Sequence, residues 1–153
     1  MAYLKYKELT KYFYFSEGVS KASLPEYVFD YIYEDEQILD SYKTMRDYGV
    51  FTDKKMVLFD RPFSFVLFAN KKEISIIPYK SISTCSIIFR PGHAELGLML
   101  DSGYPVRLKF TNMTRNEKAR LRKLYACISK IINNQNVNAN DINGLNEAIE
   151  MVK

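Results

Sequence analysis

Residues 96–110, LGLMLDSGYPVRLKF, decide the fold class of this chain. Leu96–Leu100 is an apolar run that ends at Asp101-Ser102-Gly103, a sequence typical of a hairpin turn. Val106–Phe110 then alternates apolar and basic residues, as a strand does when one face is buried and the other is in water. The stretch therefore predicts two antiparallel strands joined by a tight turn.

The chain before this hairpin carries more strands of the same kind. Short runs rich in β-branched and aromatic residues recur about every eight to twelve residues, with turn residues between them. The predicted strands are Ile38–Arg46, Gly49–Thr52, Met56–Phe59, Glu73–Pro78 and Ile82–Phe89. With the hairpin they make about seven strands and predict an antiparallel sheet that curls into a barrel or a sandwich.

The chain after the hairpin predicts one strong helix over residues 114–133. Thr114 and Glu117 form a capping box, which satisfies N–H groups of the first turn. The apolar residues fall on one helix face: Leu121, Leu124, Tyr125, Ile128 and Ile132. The exposed face is basic, and Arg115, Lys118 and Arg122 are its candidates for binding an anion.

The two ends of the chain differ from this centre. Residues 1–36 predict a helical extension, with Leu4, Leu9, Tyr12 and Phe13 near helical spacing. Ser23 is the predicted N-cap of a second helix whose apolar face holds Leu24, Val28, Tyr31 and Ile32. Residues 134–153 form a polar tail with one short amphipathic helix at Leu145, Ile149 and Val152, and the sequence leaves open whether it is mobile or docked.

Composition limits the chemistry. The chain of 153 residues is the length of one domain and has a net charge of +4. By segment the charge is −3 for 1–37, +4 for 38–113, +5 for 114–133 and −2 for 134–153. Cys85, Cys127 and His93 are too few and too far apart for a metal site, so we expect no metal and no cofactor. No apolar run is long enough to span a membrane and no secretory leader is visible, which predicts a cytoplasmic protein with buried, reduced thiols.

A run of short antiparallel strands followed by one amphipathic helix resembles the pleckstrin-homology (PH) domain. Three stretches are similar to the bacterial PH-like family: residues 46–60, RDYGVFTDKKMVLFD; residues 76–82, IIPYKSI; and residues 96–100, LGLML. The resemblance covers residues 37–133 and implies an α+β, mainly β fold. That fold is a bent antiparallel barrel of about seven strands closed by the C-terminal helix, here with the helical extension at its N-terminus.

The resemblance also implies a non-catalytic scaffold. The PH site for phosphoinositides needs a long basic loop between the first two strands, and Asp47-Tyr48 is too short to supply it. Phosphoinositide binding is therefore not expected. No nucleophile elbow or phosphate-binding glycine loop is found, so an enzyme is not expected either.

Residues 62–70, PFSFVLFAN, are more apolar than the family pattern. They form a strand packed on the barrel, an exposed surface for self-association or for a partner, or a segment that inserts into a membrane. The candidate contact residues for a protein partner are Phe63, Phe65, Val66 and Phe68, together with Tyr12 and Phe13 of the extension.

The sequence thus predicts a protein-interaction module from a bacterium or phage that binds another protein, itself, or both. A narrower form of this hypothesis is an effector that binds a host protein. The alternative is binding of an anionic ligand, nucleic acid or a membrane surface, by the basic helix at Arg115, Lys118 and Arg122. The scatter of positive charges around that helix disfavours nucleic acid.

Overall fold

The structure, a computed structural model, describes residues 11–44, 47–60 and 73–152. Two sheets and two α-helices make up most of it. The strands are β1 (Lys11–Phe15), β2 (Glu17–Val19), β3 (Ile38–Lys43), β4 (Tyr48–Thr52), β5 (Lys55–Asp60), β6 (Glu73–Pro78), β7 (Ile82–Arg90), β8 (His93–Leu100) and β9 (Pro105–Phe110). The helices are α1 (Arg115–Ile132) and α2 (Ala139–Val152), with short 3-10 helices at Lys21–Ser23, Glu26–Tyr31 and Tyr79–Ser81.

The seven strands predicted for residues 38–110 are present as β3 to β9. One sheet has the order β2-β3-β4-β5-β6 and is antiparallel throughout. The other has the order β1-β9-β8-β7, in which only β1 runs parallel to its neighbour, β9. The inner faces of both sheets and the apolar face of α1 enclose the main core.

The first strand corrects the prediction of a helix at Tyr12 and Phe13, whereas Leu4 and Leu9 of that predicted helix lie outside the described residues. Tyr12 and Tyr14 are exposed, whereas Phe13 and Phe15 are buried in the main core. This alternation has a period of two, which belongs to a strand and not to a helix. Backbone pairing with β9 stabilises the strand form, and the sequence alone could not reveal that distant partner.

The second predicted helix is also different in the structure. Ser23 ends a short 3-10 helix and does not cap a helix; its hydroxyl lies 2.8 Å from that of Ser20. The next helix begins at Glu26, after Pro25, and is a 3-10 helix. Its aromatic and β-branched residues are weak α-helix formers, which favours this short, tight form over an α-helix.

The strands β1 and β2 join the two sheets at one corner. Only Ser16 separates them, and its N–H donates to the carbonyl of Lys43 at 2.8 Å. On the other side, Thr111 N–H donates to the carbonyl of Phe15 at 2.8 Å. At the opposite corner β6 and β7 do not pair within the described ranges, so the barrel is not closed by hydrogen bonds.

Helix α1 closes one end of the core, as the family resemblance implied. The Thr114 hydroxyl accepts the N–H of Glu117 at 3.2 Å, which confirms the cap. Leu121, Leu124 and Ile128 are fully buried. The tail is ordered as α2, which packs Leu145 into the core and pairs Asp141 with Lys130 of α1 at 2.7 Å.

Candidate functional site

The outer face of the four-stranded sheet carries a surface that is both aromatic and basic. Because β1 and β9 are in parallel register, Tyr12 lies opposite Arg107 and Tyr14 opposite Lys109. Nζ of Lys109 lies 5.0 Å from the ring centre of Tyr12 and 5.8 Å from that of Tyr14, within cation–π range. We call Tyr12, Tyr14, Arg107 and Lys109 the basic aromatic surface.

Charge on this surface is partly balanced by the neighbouring strand. Nη1 of Arg107 donates to a carboxylate oxygen of Glu95 on β8 at 3.0 Å. Lys109, by contrast, faces the two tyrosine rings. Tyr12 and Tyr14 are 40% and 52% exposed, so apolar area and positive charge lie side by side at the surface.

The outer face of the five-stranded sheet carries a second surface, which is aromatic and acidic. It is formed by the 3-10 helix Glu26–Tyr31 and the turn that follows. Phe29 and Tyr33 are 41% and 64% exposed. The carboxylates Glu26, Asp30 and Glu34 are exposed beside them in the chain. We call Glu26, Phe29, Asp30, Tyr33 and Glu34 the acidic aromatic surface.

A small second core fixes the acidic aromatic surface to the sheet. Leu24 and Val28 are buried against Val50, Val57 and Phe59. In addition, the rings of Tyr27 and Tyr31 each meet the ring of Phe59 edge-on, with ring centres 5.6 Å apart. The 3-10 segment is therefore held by apolar packing, and its charged residues are left at the surface.

A buried ion pair holds the end of the same segment. Nζ of Lys55 lies 2.7 Å from Glu36, and both side chains are almost wholly buried. Burial alone would raise the pKa of Glu36, but interactions with Lys55 and Thr52 outweigh it, so the pKa lies below its ordinary value of 4.5. The same ammonium lies 3.7 Å from the ring centre of Tyr33, which links the buried pair to the acidic aromatic surface.

A second buried ion pair ties the helix α1 to β2 and β3. Nε of Arg120 donates to Asp40 at 2.9 Å, and Nη2 donates to the other oxygen at 2.5 Å. Burial alone would lower the pKa of Arg120, but the hydrogen bonds and charge of Asp40 outweigh it and raise that pKa. Nη2 also donates to the Val19 carbonyl at 3.2 Å, so β2 is anchored to α1.

The predicted contact residues of the N-terminus separate in the structure. Tyr12 is part of the basic aromatic surface, whereas Phe13 is 5% exposed and belongs to the core. Phe13 therefore cannot serve as a surface contact in this fold. The segment candidates Phe63, Phe65, Val66 and Phe68 lie outside the described residues.

The basic helix candidates lie on one side of α1, next to the strand β7. Nζ of Lys118 donates to the carbonyl of Arg90 at 2.6 Å. The guanidinium of Arg122 lies 4.8 Å from the ring centre of Phe89. Arg115 is exposed at the first position of the helix. We call Arg115, Lys118 and Arg122 the stripe of α1, and the structure places it beside the end of β7.

The cysteines and the histidine are held apart in ordinary structural roles. Nδ1 of His93 lies 3.1 Å from the Pro91 carbonyl in the β7–β8 turn. Cys85 lies in mid-strand, with Sγ 3.7 Å from the Tyr125 hydroxyl. Burial raises the pKa of the Cys127 thiol, which disfavours the reactive thiolate. Among residues 11–44, 47–60 and 73–152, no group of acidic, Cys and His side chains could hold a metal ion.

Sequence reasoning missed most of both aromatic surfaces. It did not single out Tyr14, Lys109, Phe29 or Tyr33. The period of two in Tyr12-Phe13-Tyr14-Phe15 was a usable signal for an outward pair of tyrosines. The position of Lys109 beside them depends on the β1–β9 register, for which the sequence carries no local signal.

Comparison with known proteins places the chain in a family. The sequence model of the family described as Bacterial PH domain matches residues 10–132. This chain therefore belongs to the bacterial PH domain family. The match includes β1 and β2, which the sequence had placed in an extension outside the domain.

The uncharacterized protein YjqA of Bacillus subtilis is similar over 69 residues at 36% identity. That alignment spans 45% of this chain and 53%, or about half, of YjqA.

In the described part of the chain, no helix is both long and apolar enough to cross a membrane.

Solved structures share the fold at low sequence identity. A DUF1696 family protein with a pleckstrin-homology domain from Shewanella loihica has a TM-score of 0.58 at 20% identity, over 75% of this chain and 95% of its own. A pleckstrin homology domain from Shewanella amazonensis has a TM-score of 0.55 at 23% identity, over 76% and 90%. A PH domain containing protein from Exiguobacterium sibiricum has a TM-score of 0.53 at 16% identity, over 74% and 62%.

Proposed function

We propose that this chain is a non-catalytic protein-interaction module that associates with further copies of itself. The observation that carries the proposal is the presence of two exposed aromatic surfaces of opposite charge on the outer faces of different sheets. Surfaces of this kind are complementary, so the basic aromatic surface of one copy can receive the acidic aromatic surface of the next. Membership in a scaffold-like domain family supports the non-catalytic part of the proposal.

A contact between two different surfaces repeats from copy to copy. It produces a closed ring if the rotation closes, and a filament if it does not. The tyrosines and Phe29 supply apolar area at the centre of such a contact, and the charged residues supply orientation and register. The proposed assembly is therefore larger than a two-fold dimer.

Light scattering after size-exclusion chromatography tests the proposal. Wild-type protein should have a mass several times that of one chain at about 50 mM salt, and a lower mass at about 500 mM, where charge attraction is screened. Lys109→Glu should give a monomer at low salt. Lys80→Glu, an exposed lysine outside the basic aromatic surface, is the matched control and should leave the mass unchanged. A wild-type monomer at low salt and high concentration would contradict self-association.

The apolar segment Phe63–Phe68 is proposed as a further contact, on the strength of its sequence. Phe65→Asp should lower the mass of the assembly because a charge in an apolar contact is poorly solvated. Ser64→Asp, which adds the same charge at the polar position next to it, is the control. An unchanged mass for Phe65→Asp would remove this segment from the interface.

The free thiols Cys85 and Cys127 support a cytoplasmic setting for this module. An effector that binds a host protein is a narrower form of the same proposal, and it predicts a partner that copurifies with wild type and is lost in Lys109→Glu.

A further inference from the structure

A strand at the edge of its sheet lies beside the basic side chains of α1. The strand β7 is the last strand of its sheet in the described part of the chain, and it pairs with β8 on one side only. At nine residues it is also the longest strand described. An edge strand of this length is a template to which another extended segment can pair.

The ladder between β7 and β8 shows which backbone groups of this edge point outward. The carbonyl of Cys85 accepts the hydroxyl of Tyr125 from α1 at 3.4 Å, so it faces away from β8. Alternate residues of an antiparallel strand direct their N–H and C=O groups to the same side. Ile87 and Phe89 therefore present their N–H and C=O groups on the outer edge, whereas Ser86 and Ile88 bond to β8.

The charge beside this edge is positive. Lys118 and Arg122 lie on the face of α1 that meets the end of β7, and Arg115 lies about one turn before Lys118. Arg90, the last residue of β7, is exposed at the same end. Glu117 is the acidic residue of the first turn of α1, and it is half-buried with Arg120 and Asp40 among its charged neighbours.

We propose that the edge of β7 binds an extended acidic peptide as an added strand. In that pairing, Ile87 and Phe89 supply backbone hydrogen bonds. The carboxylates of the peptide that face α1 contact Arg115, Lys118 and Arg122. Residues on the opposite side lie beside Ile88, which is 39% exposed and favours an apolar neighbour. In the unbound protein, Lys118 donates to the carbonyl of Arg90 and Tyr125 donates to the carbonyl of Cys85. These two carbonyls lie on either side of the residues that would pair with the peptide.

A pair of designed peptides tests this proposal by fluorescence anisotropy on the full chain. The probe is a fluorescein-labelled peptide of four Glu-Val repeats, which alternates acidic and β-branched residues. The comparison peptide has four Lys-Val repeats, and a labelled oligothymidylate tests for general anion binding. We expect the acidic peptide to bind at least about tenfold more tightly than either. Absence of binding, or equal binding of oligothymidylate, overturns the proposal.

Variants of the edge and of the helix locate the binding. Ile87→Pro removes an outward N–H without removing a donor of the β7–β8 ladder, and Arg122→Glu reverses one charge of α1. Each should weaken binding at least about tenfold. Lys123→Glu is the matched control, since Nζ of Lys123 lies near Gly144 of α2, and it should have little effect. Wild-type affinity in both edge and stripe variants overturns the proposal.

Amide hydrogen exchange gives a readout that does not depend on a variant folding. In the free protein the amides of Ile87 and Phe89 should exchange much faster than those of Ser86 and Ile88. The Glu-Val peptide should slow the first pair selectively. Unchanged exchange at Ile87 and Phe89 in the presence of saturating peptide contradicts strand addition. Because these measurements can be made in the Lys109→Glu background, their outcome is independent of self-association.

Discussion

At the scale of single residues, the buried charges in the described part of the chain lie in ion pairs. Lys55 and Glu36 lie in one such pair, and Arg120 and Asp40 lie in another. The first pair ties the turn before β3 to β5, and the second ties β2 and β3 to α1. Both pairs therefore hold the frame of the domain together, and neither lies at the surface.

The Glu36 pair predicts a dependence of stability on pH. Because the pKa of Glu36 is lower in the folded chain than its ordinary 4.5, its carboxylate stabilises the fold above that pH. This contribution is lost as the pH falls through the lower, folded value. Glu36→Gln should lower the free energy of unfolding by about 3 kcal/mol at pH 7, since Lys55 is left buried without its partner. It should also weaken the dependence of that free energy on pH below about pH 5. Urea unfolding between pH 3 and 7 measures both effects, with exposed Glu34→Gln as a control that should change neither.

Gly18 leaves room for the buried ion pair of Arg120 and Asp40. A Cβ built on Gly18 would lie 2.5 Å from Cζ of Arg120, whose side chain is buried and bonded to Asp40. Gly18→Ala should therefore destabilise the fold by about 2 kcal/mol, because the guanidinium cannot move without losing these bonds.

The matched control for Gly18 is Gly144→Ala in α2. There the nearest atom to an added Cβ is Nζ of Lys123, at 3.8 Å. Alanine is the better helix former, so this variant should be more stable by about 0.5–1 kcal/mol. Denaturant midpoints compare the two; equal effects would contradict the close approach at Gly18.

At the scale of elements, β1 is defined by which of its aromatic residues are buried. Phe13→Ala and Phe15→Ala should each cost about 3–5 kcal/mol because they leave cavities in the core. Tyr12→Ala and Tyr14→Ala should each cost less than about 1 kcal/mol, since both side chains lie at the surface outside the core. Urea unfolding of the four variants checks this alternation. A cost at Tyr12 equal to that at Phe13 would contradict the strand.

The elements also show what could be predicted from the sequence. The strands β3–β9 and the helix α1 were predictable because their signals are local: alternation, a hairpin turn and the cap at Thr114. The strand β1 was not predictable, because its aromatic residues fit the spacing of a helix as well as that of a strand. Its pairing partner β9 also lies far along the chain. Of the candidate sites, Tyr12 was predictable, whereas its pairing with Lys109 depends on that long-range register.

At the scale of the whole molecule, the net charge of +4 conceals a separation between acidic and basic surfaces. The acidic aromatic surface covers one sheet, and the basic aromatic surface and the stripe of α1 lie on the rest of the domain. A nearly neutral total would suggest weak electrostatic steering. The separation instead predicts directional contacts between copies, which depend on salt.

The mass of a charge-swapped variant tests the central claim, self-association through these two surfaces, most directly. Asp30→Lys alone and Lys109→Glu alone should each be monomeric at low salt, because each places like charges across the contact. The chain carrying both changes should recover a mass several times that of one chain, because the opposite charges are restored with their positions exchanged. A double variant that stays monomeric beside a self-associating wild type would contradict the proposed pairing of surfaces.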